Sequence, residues 1–182
     1  MRKIKTLRNP FIVLPLLAGV LLPCVVFAIF HFSRPATADA HLVLKDAVFI
    51  SGQALPQTDL RELYGKSVDP TLLRKGKVLL VFFTTNCPAC QKEMKLISET
   101  KSELAGKVRI YGVGVQGAND VTRFNEENGI QTSSLLDKDG QLMRSLSVKY
   151  FPAKFLIDDG EIVKTWFGNS IDRADLLTQL GF

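Results

Sequence analysis

Cys87 and Cys90 stand two residues apart in the run Phe82-Phe83-Thr84-Thr85-Asn86-Cys87-Pro88-Ala89-Cys90-Gln91-Lys92-Glu93. A disulfide between them closes almost no chain. It would remove little entropy from the unfolded state and make a poor structural staple, so a reactive pair is the better reading. Other uses of the spacing fail on counts. A structural zinc site needs four ligands, and the only histidines are His31 and His41. Covalent haem attachment needs His directly after the second cysteine, where this chain has Gln91. A copper-carrying version of the site would want a histidine far downstream, and none follows His41. The third cysteine, Cys24, lies in an apolar run and reads as a small buried hydrophobe. A lipoprotein cleavage site there is disfavoured by Pro23 directly before it.

The elements around the pair give its members different roles. Val78 to Phe83 is a continuous apolar run, the pattern of a strand buried on both faces. Thr84-Thr85-Asn86 breaks it, and a helical pattern runs from Ala89 to about Leu104, with Met94 and Ile97 at core spacing. Pro88 suits the first helical position, where its missing N–H costs nothing. Cys87 then occupies the cap, with free N–H groups and the positive helix end directed at its sulfur. A thiol with a pKa of about 8.5 is only about 3% thiolate at pH 7. A helix terminus worth roughly 0.3–2 kcal/mol raises that to between about 5% and about 50%. Cys87 is therefore the attacking sulfur, and Cys90, one turn inside, the resolving thiol.

Downstream, Val108 to Val115 reads as a second buried strand and Asp120 to Asn128 as a helix closed by Gly129. Leu135 to Asp137 is a short strand before a Lys138-Asp139-Gly140 turn, and a short helix spans Gln141 to Leu146. Ala153 to Ile157 and Ile162 to Phe167 flank a hairpin turn at Asp158 to Glu161. Asp172 caps a final helix to about Leu180. Strand–helix alternation closed by a hairpin and a helix predicts a mixed central sheet with helices on both faces. Further upstream, Val43 to Ile50 reads as an edge strand and Leu60 to Tyr64 as a short helix.

The N-terminus supplies an address. Arg2, Lys3, Lys5 and Arg8 precede an almost wholly apolar stretch from Phe11 to Phe32. At about 1.5 Å per residue it reaches roughly 33 Å, enough for a hydrocarbon core of about 30 Å. A cleaved signal peptide is the competing reading, but its apolar region would be shorter, about 7–15 residues. The boundaries expected are a basic tail over 1–9, a membrane anchor over 10–32, a linker over 33–45 and a folded domain over 46–182. The basic excess before the span places the N-terminus inside and exports the rest. Four of the five net positive charges belong to this segment. Its first 40 residues hold five basic side chains and one acid, so of 23 basic and 18 acidic residues the remainder keeps 18 and 17. No nucleic-acid partner follows from that balance.

The ordered set of strand, C-x-x-C at a helix start and a later proline before a hairpin resembles thioredoxin. The sub-pattern Cys87-Pro88-Ala89-Cys90-x-x-Glu93 resembles the membrane-anchored TlpA/ResA/CcmG-type thioredoxins of cytochrome c maturation. The likeness runs from about Lys77 to Leu180 and includes Leu135 to Gly140 and Phe151 to Asp158. It implies an α/β thioredoxin-like sheet flanked by helices, with an N-terminal transmembrane helix. It implies a cis peptide at Phe151-Pro152 facing the sulfurs, and a substrate surface comprising Asn86, Pro88, Phe151 and Pro152. Glu93, three residues beyond Cys90 on the same helix face, becomes a carboxylate that holds back thiol ionisation and relays a proton. Val81 occupies the place of the buried Asp of ordinary thioredoxins. Asn86 replaces the family's usual Trp, and Phe151 is unusually bulky, which narrows the groove for clients.

The function implied is an extracytoplasmic dithiol reductase acting on disulfides in exported proteins, with apocytochrome c or copper-site assembly proteins as clients. No nicotinamide or flavin motif is present, so no cofactor is expected and electrons arrive from a membrane dithiol protein. A monomer is expected, in the cytoplasmic membrane, with its catalytic domain outside. Two rivals stand beside this reading. One is a peroxiredoxin-like thiol peroxidase, which matches Thr84-x-x-Cys87 but has Leu80 where its proline belongs. The other is a non-enzymatic redox-gated binding or chaperone module.

Overall fold

In the computed structural model, residues 51–57 and 59–182 are described. The apolar run from Phe11 to Phe32, Cys24 and the edge strand expected over Val43 to Ile50 lie outside them. Among the described residues, no helix is long and apolar enough to cross a membrane.

β3 (Lys77–Phe83) is the spine of the fold. Its side chains alternate between two cores, which is why six consecutive apolar residues are needed. Val78, Leu80 and Phe82 enter one cluster with Phe155 and Ile157. Leu79, Val81 and Phe83 enter the other, under Met94, Ile97, Phe124 and Leu176. All six residues from Val78 to Phe83 are wholly buried.

Around this spine the described residues form one seven-stranded sheet in the order β1-β7-β6-β3-β4-β5-β2. β4 (Arg109–Gly114) and β5 (Ser133–Leu136) continue it in parallel, while β6 (Ala153–Asp158) and β7 (Glu161–Phe167) run antiparallel on the other side. Two-residue strands close the edges: β1 (Gln53–Ala54) on β7, and β2 (Arg61–Glu62) on β5. The helices are α1 (Pro88–Leu104), α2 (Ala118–Asn128), α3 (Gln141–Ser145) and α4 (Arg173–Leu180). From β3 onward their order matches the expected β-α-β-α-β-α-β-β-α succession.

Local chemistry explains the boundaries. Gly129 ends α2 at φ +63°, its N–H reaching the carbonyls of Asn125 and Glu126. Asp172 caps α4 by accepting from Asp175 N at 2.9 Å. Asp159 and Gly160 turn the β6–β7 hairpin with φ of +46° and +88°, the sign pattern of the tight turns that match strand twist. On β4, Gly112 and Gly114 let helices approach closely. A Cβ at Gly114 would stand 2.5 Å from Val121 of α2, and one at Gly112 2.8 Å from Met94 of α1.

The short helix expected over Leu60 to Tyr64 is corrected. Arg61 and Glu62 pair with Leu136 and Leu135 as β2, and Gly65, at φ +84°, turns the chain so that Glu62 N donates to Lys66 O. The open edge of β5 offers backbone partners there that a single helical turn would not use.

Candidate functional site

The site lies at the C-terminal end of β3, where the loop Thr84 to Asn86 leads into α1. Cys87 is the N-cap of α1, in extended conformation, with Pro88 in the first turn. Its sulfur accepts from Cys90 N at 3.0 Å, and its carbonyl accepts from Gln91 N at 3.0 Å. Cys87 and Cys90 form a disulfide, with Cα atoms 5.1 Å apart. The two ends of the bond differ: Cys87 is half-buried, whereas Cys90 is wholly buried among Met94, Ile97 and their neighbours. An open polar groove of about 530 Å³ adjoins Cys87, lined among others by Asn86, Pro88, Gln91, Asp120, Arg123 and Glu127.

A second segment, just before β6, faces the sulfurs. The Phe151–Pro152 peptide bond is cis, and the Phe151 carbonyl oxygen lies 3.9 Å from Cys87 Sγ. Pro152 is buried, and its carbonyl accepts from Gly168 N at 2.8 Å. That contact joins the segment to the loop following β7. From this loop, Asn169 Nδ2 donates to Ala89 O at 2.5 Å, between the two cysteines. Three chain segments distant in sequence thus meet around one disulfide.

Glu93 is fully buried, and it is not alone. Lys154 Nζ donates to Glu93 Oε1 at 2.7 Å, to Ser170 Oγ at 2.8 Å and to Gln179 Oε1 at 3.0 Å. Ser170 gives Glu93 both its hydroxyl, at 2.8 Å, and its backbone N–H, at 2.6 Å. Lys154 is 1% exposed and pairs across the sheet with Val81. The carboxylate expected to act on the thiols by itself therefore has a cation against it.

Cys87, Cys90, Asn86, Pro88, Phe151, Pro152 and Glu93 are all brought to this end of the sheet or to the first turns of α1. Lys154, Ser170, Gln179 and Asn169 were not legible as site residues. One signal existed: Lys154 interrupts an otherwise apolar strand, and a lysine buried there must be paired. Its partners lie 16, 25 and 61 residues away and could not be named from spacing.

The thiol:disulfide interchange protein DsbE of Yersinia pestis is 29% identical over 161 residues, covering 86% of this chain and 82% of that protein. The thiol-disulfide oxidoreductase ResA of Halalkalibacterium halodurans is 28% identical over 121 residues, 63% of this chain and 66% of that one. The crystal structure of StoA from Bacillus subtilis superposes with a TM-score of 0.59 at 26% identity, covering 70% of this chain and 99% of that chain. The model of the AhpC/TSA family matches residues 51–165, so the chain belongs to the AhpC/TSA family and, with DsbE-, ResA- and StoA-named relatives, is a thioredoxin-like thiol–disulfide oxidoreductase of the TlpA/ResA/CcmG type.

Proposed function

We propose that the protein reduces disulfides in exported proteins on the outer side of the cytoplasmic membrane, held there by the apolar segment Phe11 to Phe32. The observation that carries this is the asymmetry of the disulfide. Cys87 is accessible at a helix N-terminus, whereas Cys90 is sealed behind it.

In the reduced protein, the Cys87 thiolate attacks one sulfur of a client disulfide. A Cys87–client bond forms, the client S–S bond breaks, and the departing thiolate takes up a proton. Cys90 then loses its proton and attacks Cys87 Sγ, expelling the second client thiolate, which is protonated in turn. The client gains two electrons and two protons, and Cys87–Cys90 becomes the disulfide. Regeneration needs a membrane dithiol donor that runs the same exchange in reverse. The client backbone lies against the Phe151 carbonyl and Pro152, with Asn86 and Pro88 bordering the approach. Asn86 and the bulky Phe151 favour clients with a slim, polar segment around the disulfide; apocytochrome c and copper-site assembly proteins are the classes to try first. Glu93 touches no reacting atom and acts from beneath the helix.

Equilibrating the full chain with glutathione buffers tests the direction. A reductase is expected to be at least as reducing as the glutaredoxins, at about −200 to −230 mV. A potential near about −120 mV, that of a strong oxidant, would overturn the reading. Labelling of reduced Cys87 in intact cells by a membrane-impermeant maleimide is expected, and labelling only after lysis would refute the outer location.

A further inference from the structure

The outer edge of the sheet at β5 is only half covered. β2 pairs with Leu135 and Leu136, and Gly65 then turns the chain away. Ser133 and Ser134 have no strand partner on that side among the described residues. An uncovered edge is a template for another extended chain unless a charge, a proline or a bulge blocks it. Thr132, Ser133 and Ser134 supply neither charge nor proline.

Beside this edge lies a groove of about 440 Å³, lined by Leu63, Tyr64, Leu72 and Tyr111 among others. Tyr64 is 94% exposed and Leu72 44%, so large apolar side chains stand open to solvent here. Two polar atoms of groove residues have no hydrogen-bond partner among the described residues. One is the hydroxyl of Thr132, a side chain 5% exposed. The other is Oδ1 of Asn125, whose Nδ2 already donates to Ser134 Oγ at 2.9 Å. Buried polar atoms are nearly always paired, because a dry, unbonded one costs free energy. The hydroxyl can donate or accept, whereas the amide oxygen only accepts. A peptide unit brings an N–H and a C=O together and can meet both. Glu62 is the one charged side chain lining the groove, and it is exposed. Its neighbour Arg61 is engaged by Asp59 at 3.0 Å. A basic residue on an incoming chain therefore finds an acid there, and an acidic one is repelled.

A single helix separates this groove from the one at Cys87. α2 gives Asn125 to the edge groove, and Arg123, Phe124 and Glu127 to the Cys87 groove. A helix is about 10–12 Å across, the span of about three or four extended residues. We propose that the edge groove is a second docking site for the client. It takes an extended segment of the disulfide-bearing protein, with one basic and one apolar residue, as an added strand on β5. Main-chain hydrogen bonds give the affinity, and Glu62 and the apolar lining give the selectivity. This rests on the proposed reduction of exported proteins at Cys87, but the groove can be probed without a redox step.

The probe is a fluorescein-labelled synthetic peptide that alternates valine and threonine around one central lysine, titrated by fluorescence anisotropy with the oxidised full chain. Saturable binding is expected, and N-methylation of alternate peptide amides is expected to abolish it. Glutamate in place of the peptide lysine is expected to weaken binding about threefold or more, and Glu62→Lys to reverse that preference. Thr132→Val is expected to weaken binding about fivefold while leaving Tm unchanged or raised, because it removes an unpaired hydroxyl. A threonine with a merely structural role would lower Tm instead. No saturable binding, or binding indifferent to either N-methylation or Glu62→Lys, would overturn the site. The occupant is tested with reduced Cys90→Ser full chain. Glu62→Lys is expected to slow adduct formation with disulfide-bearing apocytochrome c about threefold or more, and to leave the reaction with the small disulfide dithiodipyridine unchanged. Equal effects on both, or none on either, would refute the client as the occupant. Absence of any exchange by the unaltered chain would refute the proposed function, and the peptide titration then decides on the groove alone.

Discussion

Glu93 and Lys154 lie 61 residues apart in the chain, yet their charged atoms are 2.7 Å apart with both side chains sealed from solvent. Each was brought into the interior by a different element: α1 carries the acid and β6 the base. The pair joins the helix that presents the cysteines to the strand that follows the cis-proline. Around it, Ser170 and Gln179 satisfy the remaining donors and acceptors, so the buried charges are fully compensated.

Removing one member strands the other. Lys154→Ala is expected to cost about 3–5 kcal/mol, read from urea unfolding. Replacing both, as Glu93→Leu with Lys154→Met, is expected to recover most of that loss, because no lone charge remains. A double variant as unstable as the single one would show that the loss does not come from a stranded charge.

Close approach of α2 to the sheet depends on Gly114. Gly114→Ala forces a methyl against Val121, where the branched Val121 side chain and the Phe83 ring leave little room. The expected cost is about 1–3 kcal/mol by urea denaturation. Gly112→Ala meets the flexible end of Met94 and is expected to cost less.

Asp137 organises the segment leading to Phe151. Its carboxylate accepts from Leu142 N at 3.2 Å and Met143 N at 2.7 Å, tying down the start of α3. Asp137→Ala is expected to cost about 1–2 kcal/mol in thermal or urea unfolding, and Asp137→Asn, which keeps one acceptor, less. Equal losses would assign the effect to the negative charge rather than to the hydrogen bonds.

What could be read from the residues follows from how local each cause is. β3 was legible because a six-residue apolar run has few other uses. The β6–β7 turn was legible because Asp159-Gly160 supplies its own positive φ values. Cys87 was legible as a cap because Pro88 marks the first helical turn. β2 was not, since two exposed residues become a strand only when β5 offers an open edge. Glu93 was legible as an acid on the Cys90 face of α1, but its partners Lys154, Ser170 and Gln179 were not. Those contacts form only once β6, the loop after β7 and α4 have docked.

The most direct test of the central claim traps the exchange at its midpoint. Cys90→Ser removes the resolving thiol, so attack by Cys87 on a client disulfide should stop at the covalent adduct. Incubating reduced Cys90→Ser full chain with a disulfide-bearing exported protein such as apocytochrome c, followed by non-reducing electrophoresis and mass spectrometry, is expected to show an adduct through Cys87 that dithiothreitol releases. Cys87→Ser is expected to form none, because Cys90 is buried. An adduct formed equally well through Cys90, or none from either variant, would contradict the assignment.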